Sequence, residues 1–231
     1  MKMRPILRLE TAASTMLEAE RHPAGTVVVA EQQTAGQGRF GRSWHSERGA
    51  GLYFSQVLAP LANPVDLPVV TLALGLAVQE AIGMVAGVSC DLRWPNDLLA
   101  GGRKCAGILV QYQNAKLVAG IGVNVNHRQF PPELAPIATS LRIETGREHD
   151  KERLLGALLD AMDEYLATLG REGRRVILDL FSRSSSYVYG RRVTAGHLTG
   201  TTDGLNEFGF LWLRTDGGAR HLIRAGNVRP V

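Results

Sequence analysis

The sequence predicts an α+β protein, with a mixed sheet and helices followed by a small all-β module. Across most of the 231 residues, β-branched strand-like runs alternate with long apolar stretches of helical character. From Ser184 onward the apolar runs are short and broken by Gly, Asp and Asn, which is typical of a small barrel-like module. We therefore expect one domain over 1–183 and a second over 184–231.

Bulk composition indicates a folded globular protein rather than a disordered one, because 45% of residues are hydrophobic and 21% are charged. The first ten residues lack the apolar core of a signal peptide. The apolar run 67–78 is too short to span a bilayer. Two cysteines, Cys90 and Cys105, are too few for a disulfide framework, so we expect a cytoplasmic protein without a membrane partner.

The charge distribution gives a weak argument for nucleic-acid binding. The net charge is +4, made of −1 over residues 1–170 and +5 over residues 171–231. The basic residues of the second segment are scattered rather than clustered. We therefore expect no DNA partner.

Strands are predicted where β-branched and aromatic residues run together between turn residues. The predicted strands are 6–10, 26–32, 52–58, 91–95, 105–112 and 116–126. A short loop at 113–115 joins the last two strands and predicts a hairpin. The segment 127–140, with three prolines, is predicted to be a loop.

Three helices are predicted from capping residues and apolar periodicity. The first begins near Ser14 and Thr15, since Thr15-x-x-Glu18 has capping-box spacing. The second runs from Asp66 to Gly87 and is largely buried. The third, 150–169, has one apolar face and is expected to end at Gly170.

The first segment whose residues could bind a ligand is the glycine-rich stretch 36–55, which contains GQGRFGRSW. Its glycines let the backbone approach a ligand closely. Arg39 and Arg42, three residues apart, could reach one anion with their guanidinium groups. The stretch matches neither the phosphate-binding loop nor the dinucleotide motif. Two interpretations stay open: a loop that closes over an anionic ligand, or a mobile polar loop with solvated arginines.

The second segment is RWPNDLLAGGRKCAGILVQ, residues 93–111. Asn96 and Asp97 are expected to turn the chain and to project into a cleft. Lys104 begins the returning strand and is one of only four lysines beside 22 arginines. Its compact ammonium fits a point contact to carboxylate or phosphate oxygens. The alternative is an exposed edge-strand lysine.

The third segment is the strand GIGVNVN, residues 120–126. Glycines inside a strand mark close approach of a ligand or of a neighbouring backbone. Asparagine at alternate positions, including Asn124, is unusual in a purely structural strand. The alternative is a tightly packed sheet with buried amides.

Together these segments resemble the biotin protein ligases. The resemblance rests on four motifs in order: the pair Ser14-Thr15, QTAGQGRFGRSW, RWPNDLLAGGRKCAGIL and GIGVNVN. It runs from about Leu9 to Gly122 and extends more loosely to the C-terminus. It implies a catalytic core similar to that of class II tRNA synthetases, followed by an SH3-like β-barrel. It also implies ATP-dependent attachment of biotin to a lysine of a biotin carboxyl carrier domain, through biotinyl-5'-AMP and with Mg²⁺.

The resemblance implies roles for individual residues, and none of them as a ligand of a resident metal. The residues implied to bind biotin or its adenylate are Ser14, Thr15, Gln33, Gly36, Gln37, Gly38, Arg39, Trp44, Asn96, Lys104, Gly107 and Asn124. The residues implied to take part in catalysis are Lys104, Arg39, Arg42 and Asp97. Asp97 has three open roles: it orients Lys104 or assists a metal, it caps the Asn96 turn, or it accepts a proton from the acceptor amine. The segment 127–140 is implied to fold over the adenine.

At two positions the sequence differs from the residue that the family often has. Met16 stands where the family often has Asn, and Gln37 where it often has Arg. The first motif begins at Ser14, which implies the ligase-only type without an N-terminal DNA-binding domain. Whether the protein forms a homodimer is left open.

Two alternative functions are considered beside biotin ligation. One is a lipoate ligase, whose Val-aromatic-His stretch is not found in the sequence, and the other is a basic nucleic-acid-binding module.

Overall fold

The computed structural model describes residues 4–61, 63–226 and 228–231, without the side chain of Gln113. Residues 1–3, part of the segment used to argue against a signal peptide, lie outside these ranges. The larger part of the chain is built on one seven-stranded sheet. Its strands are β1 (Ile6–Leu9), β2 (Val27–Ala30), β3 (Gly51–Leu58), β4 (Asp91–Arg93), β5 (Asp97–Ala100), β6 (Arg103–Gln113) and β7 (Lys116–Asn124).

The sheet is mixed, as the sequence predicts. Its order is β1-β2-β3-β7-β6-β5-β4, with β1 and β2 parallel and the other neighbours antiparallel. The central strand β7 pairs with β3 on one side and with β6 on the other, so the predicted hairpin of β6 and β7 lies in the middle of the sheet. Asn114 and Ala115, both with positive φ, form its tight turn.

Within the described ranges, five α-helices accompany the strands. They are α1 (Thr15–Ala19), α2 (Leu67–Ala86), α3 (Leu141–Thr145), α4 (Lys151–Glu172) and α5 (Arg174–Ser184). By length and composition the stretch Pro64–Ala86 could cross a membrane, but 67% of its most apolar window is buried inside the protein. The helix α2 thus confirms the largely buried helix predicted over 66–87, and it packs against α4 and α5.

Three local predictions were wrong. Ser14, not Thr15, caps α1: its backbone is extended and its side chain accepts a hydrogen bond from Met16 N. Asp97 does not lie in the turn but begins β5, after a turn that contains a cis Trp94–Pro95 bond. The third helix passes Gly170 and ends at Gly173, whose φ of 82° suits glycine, and α5 follows at once.

The C-terminal module is a five-stranded antiparallel sheet of order β11-β10-β9-β8-β12. Its strands are β8 (Tyr189–Ala195), β9 (Leu198–Leu205), β10 (Leu211–Arg214), β11 (Arg220–Ile223) and β12 (Val228–Pro230). Within the ranges that the structure describes, no ladder joins β11 to β12. The predicted β module is therefore confirmed, but as an open sheet rather than a closed barrel.

One apolar core crosses from the large sheet into this module. Leu211 and Leu213 of β10 belong to the same buried cluster as Leu72 of α2 and Phe181 of α5. The buried Trp94 donates its indole N–H to the carbonyl of Gly209 over 2.9 Å. Because this core is shared, the division at 183/184 stays a prediction, although α5 does end at Ser184.

Candidate functional site

A cleft opens where α1 and the glycine-rich loop meet the middle of the large sheet. Its floor is formed by β6 and β7, where Gly107 and Gly122 face each other in register. A Cβ on Gly122 would lie 2.5 Å from the Trp44 ring, and one on Gly107 would lie 2.9 Å from it. Only hydrogen at these two positions therefore lets the indole pack this closely against the sheet.

One end of the cleft is polar and uncharged. Gln33 Oε1 accepts hydrogen bonds from the backbone N–H of Thr15 over 2.8 Å and from its hydroxyl over 3.1 Å. The Thr15 hydroxyl also lies 2.8 Å from the fully buried Ser55 hydroxyl, and Gln33 Nε2 donates to Ser46 Oγ over 3.2 Å. Together with Ser14, these groups form a fixed set of neutral donors and acceptors.

Sequence reasoning missed Ser55 and Ser46. A signal existed for Ser55, since it is a hydroxyl residue in the middle of β3, all of whose residues are buried. Buried hydroxyls need partners, so such a position points to a polar network. Ser46 carries no comparable signal, because it lies in a polar loop.

The other end of the cleft is cationic and centred on Lys104. Its Nζ lies 2.6 Å from Asp97 Oδ1 and 5.1 Å from the centre of the Trp44 ring. Arg93 Nη2 donates to Asp97 Oδ2 over 2.7 Å. Each oxygen of the buried carboxylate thus has its own cation, and Arg93 was not among the residues that the sequence pointed to.

The Asp97 carboxylate is ionised and held by these partners. Burial acts to raise the pKa of Asp97, but the attraction of Lys104 and Arg93 outweighs burial, and the pKa lies below its usual value. A carboxylate of this kind is a weak proton acceptor. The geometry favours the role of orienting Lys104 and disfavours the roles of base and of turn cap.

The backbone of Lys104 is fixed by the proline-rich segment. Lys104 N donates to the carbonyl of Ile137 over 2.8 Å, and Thr139 N donates to the carbonyl of Lys104 over 2.9 Å. Asn124 Nδ2 donates to both carbonyl groups of Lys104 and Thr139, over 3.3 and 3.0 Å. Asn124 therefore ties β7 to Lys104, and its predicted contact with the substrate stays a prediction.

The two arginines of the loop differ in how closely they approach the cleft. Arg39 Nη1 donates to Asn96 Oδ1 over 3.3 Å at the edge of the cleft, and Asn96 Nδ2 donates to the carbonyl of Ile108. Arg42 is exposed and does not line the cleft, but both arginines line an open groove beside it. Between them Phe40 has a φ of 58° and is 63% exposed. Both arginines therefore border one groove, and only Arg39 also lines the cleft.

Trp44 occupies much of the cleft. The remaining cavity has a volume of about 50 Å³, whereas small-molecule sites have roughly 300–1,000 Å³. The indole Nε1 is buried without a hydrogen-bond partner. A buried unpaired donor costs free energy, so this position of Trp44 is held by packing and not by a hydrogen bond of its indole N–H.

The structure brings most of the predicted ligand residues together. Those that line the cleft are Ser14, Thr15, Gln33, Gln37, Gly38, Arg39, Trp44, Asn96, Lys104 and Gly107. Gly36, Arg42, Asp97 and Asn124 do not line it, and Asp97 and Asn124 instead position Lys104. Met16, one of the two departures, packs against Gly120, where a Cβ would lie 2.7 Å from its sulfur.

A mixed sheet with such a cleft, neutral at one end and cationic at the other, defines an α+β protein whose site has the polarity suited to a small anionic molecule. Residues 8–127 match the biotin/lipoate A/B protein ligase family. The chain belongs to this family.

Individual relatives agree with this assignment. The chain is 35% identical over 216 residues to the bifunctional ligase/repressor BirA of Bacillus spizizenii. This match covers 88% of the present chain and 66% of BirA. It thus spans slightly less than two thirds of that relative's length. It is 33% identical to the biotin–[acetyl-CoA-carboxylase] ligase of Mycobacterium tuberculosis, over 88% of this chain and 78% of that protein.

A solved structure is similar over almost the whole chain. The biotin protein ligase from Aquifex aeolicus, in complex with biotin and ATP, superposes with a TM-score of 0.88 at 32% identity. The match covers 99% of this chain and 100% of that one. The mixed sheet and the C-terminal β module therefore occur together in that ligase.

Proposed function

We propose that this protein attaches biotin to a lysine of a biotin carboxyl carrier domain, using ATP and passing through biotinyl-5'-AMP. The observation that carries the proposal is the polarity of the cleft. A neutral polar end at Thr15 and Gln33 fits the uncharged ureido ring of biotin, and Lys104 at the other end fits its carboxylate. Apolar side chains, among them Phe54 and Ile121, line the space between and fit the aliphatic chain.

In the first step, a carboxylate oxygen of biotin bonds to the α-phosphorus of ATP, and the bond from that phosphorus to the bridging oxygen breaks to release pyrophosphate. Both reactants are anions, so alignment and charge neutralisation are the main tasks of the site. In this proposal Lys104, held by Asp97, contacts the carboxylate and the α-phosphate. Arg39 adds positive charge at the cleft edge.

We propose that Mg²⁺ enters with ATP, bound to its phosphates. Asp97 is a poor ligand for the ion, because Lys104 and Arg93 occupy its two oxygens. Mg²⁺ in nucleotide sites is commonly held through substrate phosphates and water. The protein's residues therefore bind and orient the nucleotide, and the ion supplies charge neutralisation on the pyrophosphate.

In the second step, the amine of the acceptor lysine attacks the mixed anhydride and AMP leaves. The amine must arrive neutral, and Asp97 is too strongly stabilised as a carboxylate to accept its proton readily. We assign Asp97 to the positioning of Lys104. Closure of the loop around Arg39 would shield the adenylate from water between the steps.

The C-terminal module is proposed to assist binding of the carrier domain and ATP. Three of its arginines are already paired with acidic residues of the module: Arg192 with Asp216, and Arg214 and Arg220 with Asp203. The remaining positive charge is modest, and it would attract an acidic carrier through salt-sensitive contacts. The two free thiols, both buried, fit a cytoplasmic location.

The direct test is mass spectrometry of a carrier domain incubated with the protein, ATP, Mg²⁺ and either biotin or lipoate. We expect the carrier to gain the mass of biotin, and no modification when its acceptor lysine is replaced by arginine. Attachment of lipoate in place of biotin would overturn the assignment within the family. A thermal-shift comparison of the two acids gives an independent reading of which one binds.

A further inference from the structure

Beyond the cleft, three side chains with metal-binding chemistry converge where the glycine-rich loop meets the end of β7. His45, Glu47 and His127 each offer one ligand atom, and these atoms lie within 4.8 Å of one another. His45 and Glu47 follow Trp44 in the loop, and His127 begins the proline-rich segment. None of the three has a role in the proposed biotin chemistry.

The hydrogen bonds around His127 leave one ring nitrogen free. Tyr53 donates its hydroxyl proton to the carbonyl of Glu47 over 3.1 Å. Its oxygen can therefore accept from His127 Nε2, which lies 3.1 Å away. With the proton on Nε2, the Nδ1 of His127 carries an unshared electron pair.

This free nitrogen is buried. His127 is 0% exposed, and its Nδ1 has no hydrogen-bond partner. A buried, unpaired acceptor costs free energy, so it calls for a ligand. A histidine that donates one ring N–H to a protein oxygen and presents the other nitrogen is the usual arrangement of a metal ligand.

We propose that His45, Glu47 and His127 form a binding site for a divalent transition-metal ion of the Zn²⁺ class. Two imidazoles and one carboxylate suit such ions and are poor ligands for Mg²⁺. Atoms bound to one zinc ion lie roughly 3.3 Å apart, given bond lengths of about 2 Å in a tetrahedron. His45 and Glu47 are exposed and can rotate to close the remaining gap.

An ion at this site would join two segments that flank Lys104. One is the loop that contains Arg39 and Trp44. The other is the segment 127–140, whose end is hydrogen bonded to the Lys104 backbone. Bound metal is therefore expected to restrict the opening of the loop, independently of biotin and ATP.

The test uses untagged protein freed of metal with a chelator and titrated with ZnCl₂ by isothermal calorimetry, without biotin or ATP. We expect one Zn²⁺ per chain, with affinity reduced at least about tenfold in His45→Ala and in Glu47→Gln. His127→Ala should abolish binding, and the two exposed-site variants keep the test valid should that buried change unfold the protein. His197→Ala, an exposed histidine of the C-terminal module, is the matched control and should bind like the wild type.

Hydrogen exchange provides a second readout. Zinc should slow amide exchange in residues 44–48 of the wild type, and it should leave exchange in His45→Ala unchanged. Absence of zinc binding in the wild type would overturn the proposal, as would wild-type affinity for zinc in both His45→Ala and Glu47→Gln. Lys104→Ala should bind zinc normally. That variant separates the fate of the metal site from that of the proposed ligase activity.

Discussion

The two sides of the cleft differ in how firmly their charged groups are held. On the sheet side, Lys104 is paired with Asp97, fixed through its backbone and packed against Trp44. On the loop side, Arg39 has one long hydrogen bond to Asn96, and Arg42 is exposed. The positive charge of Lys104 is therefore in place before a ligand binds, whereas we expect the loop around Arg39 to enclose the intermediate only when the ligands are bound.

The largest expected effect is on the sheet side. Lys104→Ala should lower biotin-dependent pyrophosphate exchange by roughly 10²–10³-fold, the range for loss of one preorganised charge contact in a catalytic site. The fold should persist, because Lys104 supports no apolar core. Lys151→Ala, which removes a surface partner of Glu31, is the control and should exchange at the wild-type rate. Near wild-type exchange by folded Lys104→Ala would remove the lysine from the mechanism.

The next effect concerns the carboxylate behind Lys104. Asp97→Asn leaves two cations without a partner and should lower the free energy of unfolding by about 2 kcal/mol, less than for fully buried pairs because both cations are partly exposed. The pKa of Asp97 is lower in the folded protein than in the unfolded chain. The ionised carboxylate therefore stabilises the fold at pH values above the unfolded-state pKa, and this stabilisation is lost as the pH falls through the folded-state pKa.

Denaturant unfolding at several pH values checks both statements. The difference between wild type and Asp97→Asn should be constant near neutral pH and should shrink below about pH 4. A difference that grows on acidification would contradict the ion-pair assignment.

A smaller effect tests the floor between the two sides. Gly122→Ala would place a Cβ 2.5 Å from the Trp44 ring, and overpacking of this kind costs about 1–3 kcal/mol. We expect weaker biotin binding by calorimetry, by about tenfold or more. Gly83→Ala in α2 meets no atom within 4 Å and should leave binding unchanged. Unaltered binding in Gly122→Ala would mean that Trp44 does not lie on this floor.

The smallest expected effect on synthesis is on the loop side. Arg39→Gly should lower adenylate formation only several-fold, since Lys104 still neutralises the phosphate, but it should release free biotinyl-AMP. The measurable sign is labelling of lysines on a bystander protein. Arg42→Gly should leak less, because Arg42 does not line the cleft. Equal leakage from both variants, or none, would contradict the different placement of the two arginines.

Much of the fold was predictable, because long elements carry their own signals. The buried helix α2 and the hairpin of β6 and β7 follow from apolar runs and turn residues alone. Strand β5 was not predicted, because it depends on its hairpin with β4. Helix α5 was not predicted either, because only Gly173 separates it from α4. Short elements of this kind are stabilised by tertiary contacts rather than by local propensity.

The candidate site divides in the same way. Lys104 and the loop glycines are marked by unusual composition, and the structure places Lys104 at the cleft. Arg93 carries no such mark: its role follows from the register that pairs it with Asp97 across β4 and β5. The role of Asn124, whose Nδ2 donates to the carbonyl groups of both Lys104 and Thr139, likewise depends on contacts between distant segments.

Hydrogen exchange with and without biotin and ATP tests the central comparison most directly. We predict that amides of residues 36–44 exchange rapidly in the free protein and slow markedly when both ligands bind. Amides of β6 from Cys105 to Ile108, beside Lys104, should be slow in both states. Slow exchange throughout the loop in the free protein, unchanged by ligands, would contradict the account, as would a Lys104 strand that becomes protected only when ligands bind.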